Sequence, residues 1–285
     1  MTAIETIAEH RCFGGVQGFY RHESRACGGP MAFAVYVPPQ ASGGRLPVLY
    51  YLAGLTCTAE TFPIKAGAQR LAAELGLVLV APDTSPRDTG IEGATGDWEF
   101  GEGAGFYIDA TQPPWSRRFR METWMIEELP ALIEGHFPVD HGRCGIMGHS
   151  MGGHGALTLA LKHPARFRSL SALAPIVSPT RVAWGHEKVF VSYLGDDRTE
   201  WARHDACELL RSGRRFDGTI LVDQGDADPY LREQLRAELL EQACRESGQP
   251  LTLRMQPGYD HSYWFVQSFI GDHLRHHAAH LCDHP

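Results

Sequence analysis

The chain has 285 residues, of which 43% are hydrophobic and 21% are charged, and its formal net charge at pH 7 is −8. This composition is typical of a globular protein with a sizeable core, and the acidic balance argues against nucleic acid or an acidic membrane surface as a general partner. No window approaches the roughly 18 apolar residues that a membrane helix needs, so no membrane span is expected.

The cysteines and the first residues bear on the cellular compartment. Seven cysteines are scattered along the chain without the spacing of a metal site. This pattern favours reduced thiols over a disulfide framework. The first 17 residues contain acidic side chains and no continuous apolar stretch, so no signal peptide is expected. We therefore expect a cytoplasmic protein, and we expect one domain over residues 1–285 because no repeat or linker interrupts the chain.

Short apolar runs alternate with helix-like stretches along the sequence. The runs predict strands at 31–38, 46–54, 75–83, 143–150, 168–175, 218–225 and 251–257, with an additional N-terminal edge strand at 16–24. The intervening stretches predict helices at 64–75, 121–137, 152–164, 230–247 and 262–281. Runs rich in Val, Leu and Ile are typical of parallel strands that are covered on both faces. The alternation therefore predicts an α/β fold whose mostly parallel central sheet has about eight strands flanked by helices.

A long segment without clear periodicity, residues 84–120, interrupts this alternation. It is rich in glycine, aspartate and aromatic residues, the last being Trp98, Phe100, Phe106, Tyr107 and Trp115. A loop of this length is usually functional or disordered. Its aromatic content favours an ordered, functional loop.

Ser150 lies between glycines in the sequence Gly148-His149-Ser150-Met151-Gly152, which fits the G-x-S-x-G pattern. The pattern follows a predicted strand and opens a predicted helix, which is the context of a nucleophile elbow. The start of the helix adds amide groups and a partial positive charge beside the reacting atom. We therefore interpret Ser150 as a nucleophile, the alternative being a structural glycine turn.

A serine nucleophile needs a base and an acid that orients the base, and in such folds they follow the serine in the order acid, histidine. His261, directly after the last predicted strand, is the candidate base, the alternative being a solvated turn residue. The candidate acids are Asp223, Asp226 and Asp228. Asp223 falls inside a strand, and Asp228 precedes a proline and is also a candidate helix N-cap. A turn precedes Asp228, which we prefer as the acid, with Asp226 second.

Two backbone amides are expected to stabilise the oxyanion. One belongs to Met151, which follows the nucleophile. The other belongs to Leu55, in the loop after the strand predicted at 46–54. A main-chain donor explains why an apolar residue can hold a catalytic position, the alternative for Leu55 being a buried loop residue.

Four histidines lie within the last predicted helix, namely His273, His276, His277 and His280. Their spacing of three and four residues places them close enough to chelate a metal ion. We interpret them instead as a solvated face of the helix and expect no metal site.

The whole pattern resembles the S-formylglutathione hydrolases of the esterase D family, from about Gly28 to Leu281. The strings that carry the resemblance are LAGLTCT, APDTSPR, FGEGAGFYIDAT, GHSMGGHGAL, YLG, DQG-x-x-D and GYDHSYWF. That family has the α/β-hydrolase fold and needs no cofactor. It hydrolyses S-formylglutathione to glutathione and formate in formaldehyde removal, and it also cleaves short-chain activated esters.

Matched motif by motif, the resemblance implies a role for five residues: Ser150 as nucleophile, Asp228 as acid, His261 as base, and Leu55 and Met151 as oxyanion donors. It also implies that Cys57 lies near the active site and can make the activity sensitive to thiol reagents, the alternative being a small buried side chain. The chain departs from the family pattern at Glu99, where aspartate is expected, and in the segment DTGIEGATGD before it.

These residues imply a formyl-enzyme mechanism. His261 takes the Ser150 proton as the hydroxyl attacks, Asp228 stabilises the imidazolium, and His261 then protonates the glutathione thiolate before water hydrolyses the formyl-enzyme. A narrow acyl pocket is expected from aromatic residues that are otherwise ordinary packing under the loop, namely Trp98, Phe106, Tyr107 and Trp184. Lys65 and Lys188 are the candidates to bind anionic glutathione.

Two other functions remain open at the level of sequence. One is a general short-chain carboxylesterase or acyltransferase on the same scaffold. The other is a non-catalytic, hydrolase-like binding module, although such relatives typically lack the serine or the histidine. The resemblance also leads us to expect a homodimer.

Overall fold

The computed structural model describes residues 3–282. Its nine strands are β1 Glu5–Cys12, β2 Gly15–Ser24, β3 Gly29–Val37, β4 Leu46–Leu52, β5 Val78–Pro82, β6 Val139–His149, β7 Ser169–Leu173, β8 Ile220–Gly225 and β9 Leu251–Gln256. They form one sheet in the order β1-β2-β3-β5-β4-β6-β7-β8-β9. The first three pairs in this order are antiparallel and the other five are parallel. The predicted mostly parallel α/β sheet is therefore confirmed, with nine strands in place of about eight.

The α-helices are α1 Thr61–Lys65, α2 Gln69–Leu75, α3 Met121–Thr123, α4 Leu129–His136, α5 Met151–Lys162, α6 Phe190–Leu194, α7 Arg198–Ala202, α8 Ala206–Arg211, α9 Ala237–Ser247 and α10 Tyr263–Leu281. Three π-helical turns, Trp124–Glu128, Trp184–Val189 and Leu231–Leu235, adjoin them. Short 3₁₀ turns occur at Pro39–Gly43, Trp115–Arg117 and Pro179–Arg181.

The direction in which the chain crosses the sheet reverses beside β4. From β4 the chain passes through α2 to β5 on one side, and from β6 it passes through α5 to β7 on the other side. Because such crossovers are right-handed, α2 and α5 cover opposite faces of the sheet. Ligand sites in open α/β sheets lie at the carboxyl ends of the strands where this reversal occurs. The loops that follow β4 and β6 carry Leu55 and Ser150, so the fold brings these two residues together.

The centre of the sheet is inaccessible to solvent. Every residue of β5, β7 and β8 is buried. Both faces of these strands pack against other parts of the protein, which explains why their sequences are apolar without alternation.

The N-terminal edge of the sheet differs from the prediction. The strand predicted at the edge, β2, pairs on both sides, because β1 adds a further antiparallel strand outside it. The sequence of β1, ETIAEHRC, is mostly exposed. An exposed edge strand needs no apolar face, so its sequence lacks the pattern on which strand prediction depends.

Three helical regions also differ from the prediction. The helix predicted at 64–75 is two short helices, α1 and α2. The helix predicted at 230–247 is interrupted at Arg236, whose φ of 55° lies in the left-handed region. The helices between residues 184 and 211 were not predicted. Each of them is too short to show an amphipathic pattern in the sequence.

The prediction of a solvated histidine face on α10 is wrong for two of the four histidines. His273 and His277 are fully buried, because this side of α10 packs against the sheet. The two nitrogens of His277 lie 2.6 and 2.8 Å from the hydroxyls of Ser169 and Ser171 on β7. Serine hydroxyls thus satisfy the buried imidazole and fix the helix to the strand.

His273 continues this buried network toward β8. Its Nδ1 lies 2.8 Å from the Ser171 hydroxyl, and its Nε2 lies 3.0 Å from Asp223 Oδ2. Asp223 also accepts hydrogen bonds from Arg254 and Gln256.

Within residues 3–282, no group of three or more His, Cys, Asp or Glu side chains is arranged to hold a metal ion. The helices of this part of the chain are also too short or too polar to cross a bilayer.

Candidate active site

Ser150 occupies a sharp turn between β6 and α5. Its backbone angles are φ 59° and ψ −120°, a conformation that costs a non-glycine residue about 1–3 kcal/mol. Its amide donates to the Leu173 carbonyl at 3.0 Å, and its carbonyl accepts from the Ile176 amide at 3.2 Å. The end of β7 therefore holds the strained turn in place.

The glycines of the motif are required by close backbone contacts. A Cβ atom at Gly148 would lie 2.1 Å from the Gly152 carbonyl oxygen, and one at Gly152 would lie 1.9 Å from the Leu52 carbonyl oxygen. Both distances are far below van der Waals contact. The G-x-S-x-G spacing is thus what allows β6 to turn directly into α5 against β4.

The side chains of Ser150, His261 and Asp228 form one hydrogen-bonded line. His261 Nε2 lies 2.8 Å from Ser150 Oγ, and His261 Nδ1 lies 2.6 Å from Asp228 Oδ2. Because a carboxylate only accepts, Nδ1 carries the proton and Nε2 accepts from the serine hydroxyl. The Asp228 side chain is fully buried and that of His261 is 16% exposed. This arrangement can deprotonate the serine and stabilise the imidazolium that results.

The structure separates the three candidate acids. Besides His261, the carboxylate of Asp228 accepts from the Tyr230 amide at 2.9 Å and from Gln224 Nε2 at 3.3 Å. It therefore holds the start of the next helical turn as well as the imidazole. Asp226 accepts from the Gly258 amide at 2.7 Å, and Asp223 belongs to the buried network beneath α10.

The loop after β4 lies against the serine. A Cβ atom at Gly54 would lie 3.1 Å from Ser150 Cβ, which is tighter than most Cβ contacts, so glycine favours this close approach of the loop. Thr56 follows with φ 66°, and its amide donates to the Gly103 carbonyl at 2.9 Å. Leu55 thus lies in a loop that lines the same cleft as Ser150, and Met151 is the first residue of α5.

These residues open into a small cleft of about 210 Å³. Its lining consists of Gly54, Leu55, Thr56, Cys57, Trp98, His149, Ser150, Trp184, Tyr230, His261, Ser262 and Tyr263. The volume is below the roughly 300–1,000 Å³ of typical ligand pockets. The cleft therefore suits a small reacting group.

Only two of the four predicted pocket aromatics line this cleft. Trp98 and Trp184 do, with their rings 5.7 Å apart in an edge contact. The prediction is wrong for Phe106 and Tyr107, which are fully buried and outside the lining. Tyr107 lies beneath the cleft, where its hydroxyl donates to the Ala53 carbonyl at 2.9 Å. It therefore supports the loop that carries Leu55 instead of contacting a ligand.

Cys57 is partly buried and lines the cleft. Burial raises the pKa of its thiol, although hydrogen bonds with Tyr263 and Thr61 oppose this effect. At neutral pH the residue is accordingly a thiol, which is a poor nucleophile beside the activated serine.

The two candidate lysines differ in their surroundings. Lys188 forms ion pairs with Asp97 and Glu99 at 2.8 and 2.6 Å. These two carboxylates already neutralise its positive charge. Lys65 Nζ lies 5.7 Å from the ring centre of Tyr263, which lines the cleft, and has no ion pair within residues 3–282. Of the two, Lys65 is therefore the candidate whose charge is not already paired.

Sequence reasoning missed His149, Tyr230 and Tyr263, all of which line the cleft. The His149 ring lies 4.7 Å from that of His261, and burial followed by the charge of His261 lowers the pKa of His149 well below its usual value. His149 is thus a neutral platform beside the candidate base. It occupies the variable position of the G-x-S-x-G pattern, so the motif itself gave no signal for it.

The sequence and the fold of the chain are similar to those of known proteins. The family model described as putative esterase matches residues 24–276. The chain is 53% identical over 279 residues to the S-formylglutathione hydrolase of Paracoccus denitrificans (strain Pd 1222), covering 98% of this chain and 99% of that protein. It is also similar to the solved structure of an S-formylglutathione hydrolase from Agrobacterium tumefaciens, with 49% identity, a TM-score of 0.95 and coverage of 97% and 99% of the two chains.

A more distant structure shows how widely the fold is shared. A fluorophosphonate-binding serine hydrolase of Staphylococcus aureus superposes with a TM-score of 0.73 at 18% identity, covering 93% of this chain and 98% of that chain. This similarity concerns the fold alone.

Proposed function

Because the chain belongs to the putative esterase family and, within it, to the S-formylglutathione hydrolases, we propose that it hydrolyses S-formylglutathione to glutathione and formate. Ser150, His261 and Asp228 act as the catalytic triad. The proposal is supported above all by the continuous hydrogen-bonded line from Asp228 through His261 to Ser150 in a small cleft.

In the first half of the reaction, Ser150 Oγ attacks the formyl carbonyl while His261 Nε2 takes its proton. Asp228 remains ionised and stabilises the imidazolium through Nδ1. The negative charge that develops on the carbonyl oxygen is received by the amides of Leu55 and Met151. As the tetrahedral intermediate collapses, the C–S bond breaks and His261 protonates the departing glutathione thiolate.

In the second half, water attacks the formyl ester of Ser150. His261 takes a proton from this water, the same two amides receive the oxyanion, and the ester bond breaks. His261 returns the proton to Ser150 Oγ, and formic acid leaves and ionises to formate in water. The volume of about 210 Å³ supports a small acyl group, since a formyl group carries no alkyl chain to accommodate.

The proposal is tested by replacing Ser150 with alanine. We expect Ser150→Ala to fold normally and to hydrolyse S-formylglutathione at least about a thousandfold more slowly than the native protein. The matched control is Ser268→Ala, which removes an exposed hydroxyl on α10 that donates to the Trp264 carbonyl and should leave turnover unchanged. A Ser150→Ala protein with a near-native rate would remove Ser150 from the mechanism.

A general carboxylesterase is the second candidate, because the same triad cleaves simple esters. The discriminating measurement is kcat/KM for S-formylglutathione against longer acyl thioesters and p-nitrophenyl esters. We expect the formyl thioester to be preferred. Equal or better rates with the longer substrates would favour the carboxylesterase.

The setting of the reaction is part of the proposal. Within residues 3–282, six cysteines are free thiols, namely Cys12, Cys27, Cys57, Cys144, Cys207 and Cys244. They support the reducing cytoplasm, where glutathione is abundant, as the compartment. We propose formaldehyde removal as the physiological role and a homodimer as the assembly. Sedimentation of the purified protein tests the latter.

A further inference from the structure

One wall of the cleft is a continuous series of aromatic rings that ends at the candidate base. Trp98 meets Trp184 with ring centres 5.7 Å apart, Trp184 meets Tyr230 at 4.9 Å, and Tyr230 meets His261 at 5.2 Å. Trp184 lies between Trp98 and Tyr230 in this wall, and it lines the same cleft as Ser150.

Trp184 is fixed at two points. Its indole Nε1 donates to Glu99 Oε1 at 2.8 Å, and its backbone amide donates to Gln234 Oε1 at 3.1 Å. The residue is only 4% exposed, so water cannot readily replace a lost partner of the indole. The hydrogen bond to Glu99 thus fixes the orientation of the Trp184 ring.

The same carboxylate is itself held in place. Glu99 Oε2 accepts from Lys188 Nζ at 2.6 Å, and Lys188 also donates to Asp97 at 2.8 Å. These hydrogen bonds lower the pKa of Asp97 and raise the pKa of Lys188. Lys188 belongs to the same π-helical turn as Trp184. The acidic residues Asp97 and Glu99 of the long loop therefore bind this turn at two side chains, those of Lys188 and Trp184.

The two contacts of residue 99 depend on the length of its side chain. Glu99 reaches the indole with one oxygen and the ammonium group with the other. An aspartate, which is one methylene shorter and is the residue that the family resemblance leads us to expect, would hold its carboxylate farther from Trp184 for the same backbone position.

We propose that Glu99 is a positioning residue that sets the acyl-chain specificity of the cleft by fixing Trp184 as its wall. The proposal rests on the function proposed above, since it concerns the acyl group bound at Ser150. With Glu99 in place, the wall excludes long acyl chains. Without it, the Trp184 ring gains freedom and the cleft accepts them.

The experiment compares three variants around this contact. Glu99→Ala removes both bonds, Glu99→Gln keeps an oxygen for the indole, and Lys188→Met removes the ion pairs while leaving the bond between Glu99 and Trp184. The control is Glu5→Gln, which breaks the exposed pair with Arg21 on the remote edge strands. Thermal unfolding of every variant verifies folding, and the readout is the ratio of kcat/KM for p-nitrophenyl hexanoate to that for p-nitrophenyl acetate.

We expect the ratio to rise about tenfold in Glu99→Ala, the scale on which pockets discriminate by hydrocarbon size. It should stay within about threefold of the native value in Glu99→Gln and the control. It should rise less in Lys188→Met than in Glu99→Ala, because the bond between Glu99 and the indole remains. A merely structural role of Glu99 would lower both rates together and leave the ratio unchanged, and that result overturns the proposal. An equal rise in Glu99→Gln and Glu99→Ala also overturns it, because the bond to the indole would then not be responsible.

Hydrolysis of S-formylglutathione by the native protein separates the two proposals. If it is absent while the esters are cleaved, the proposed substrate is wrong, and the ester ratio still decides the role of Glu99. If it is present and the ratio does not change in Glu99→Ala, the proposed function stands and the role of Glu99 falls.

Discussion

Gly148 shows how little room the nucleophile turn allows. Its Cβ would lie 2.1 Å from a carbonyl oxygen of the adjoining helix, so Gly148→Ala must displace backbone. We expect the free energy of unfolding to fall by about 2–3 kcal/mol, with a loss of esterase activity. Urea unfolding measures the first effect and p-nitrophenyl acetate hydrolysis the second.

Gly43 provides the matched comparison. No atom lies within 4 Å of a Cβ built there, so Gly43→Ala should change the free energy of unfolding by no more than about 0.5 kcal/mol. Equal effects at positions 43 and 148 would show that the close contact at the elbow is not what requires glycine.

The choice among the acids is also a question about single residues. Asp228→Asn keeps the shape of the side chain but removes the charge that favours the imidazolium, and its amide can impose the wrong histidine tautomer. We expect kcat to fall about 10³–10⁴-fold. Asp226→Asn, which alters only the contact with the Gly258 amide, should retain near-native kcat. A larger loss in the second variant would reverse the assignment.

Individual residues were predictable where they belong to a motif. Ser150 and His261 could be selected because a strand, a turn and a helix in order leave few positions for them. The choice of Asp228 over Asp226 depended on the family resemblance. Phe106 and Tyr107 were misplaced because an aromatic residue in a loop has the same sequence signal whether it lines a cleft or supports it. Their positive φ angles, 50° and 55°, depend on packing that no local pattern reveals.

At the scale of elements, α10 illustrates what buried polar side chains do. His277→Ala would leave the Ser169 hydroxyl without its imidazole and create a cavity between α10 and β7. We expect a loss of about 2–4 kcal/mol in the free energy of unfolding. The exposed His280, one turn away, should tolerate alanine within about 0.5 kcal/mol. Urea unfolding of both variants decides, and equal losses would contradict the role of the buried network.

The same helix explains why some elements were predicted better than others. The strands at the centre of the sheet have continuous apolar runs because both of their faces are covered, and those runs are visible in the sequence. The buried face of α10 was predicted to be solvated because histidine is a polar residue. The burial of its histidines depends on serines that are more than 100 residues away in the sequence. β1 was missed for the opposite reason, since an exposed edge strand has no apolar pattern.

At the scale of the molecule, the fold keeps several histidines neutral. Burial lowers the pKa of His154 to about 3 and that of His276 to about 4, whereas an imidazole in the unfolded chain titrates near 6.5. Between these values the unfolded chain binds protons that the folded protein does not. The free energy of unfolding therefore decreases as the pH falls from about 6.5 to about 4.

The contribution of His154 can be isolated, because its ring is fully buried. It adds up to about 1.4 kcal/mol per pH unit to this decrease. We expect His154→Gln to unfold at a urea midpoint that depends less steeply on pH than that of the native protein. Midpoints at pH 7, 5.5 and 4.5 measure the slope. An unchanged slope would show that His154 does not contribute.

A second acid-labile process follows at lower pH. Although burial raises the pKa of Asp223, its hydrogen bonds with His273, Arg254 and Gln256 lower the net value to about 2. The stability that this carboxylate supplies is complete above the pKa of an unfolded aspartate, about 3.9. It is lost as the pH falls from about 3.9 toward 2, a range that overlaps the lower end of the His154 effect, which continues to about pH 3.

The left-handed backbone at position 150 has a consequence for the engineering of more stable variants of this protein. Glycine adopts that conformation without steric penalty, so the substitution that best relieves the turn is the one that deletes the reactive oxygen. Selection for heat resistance alone would favour an inert scaffold at this position. Any screen for robust variants must therefore score product formed together with melting.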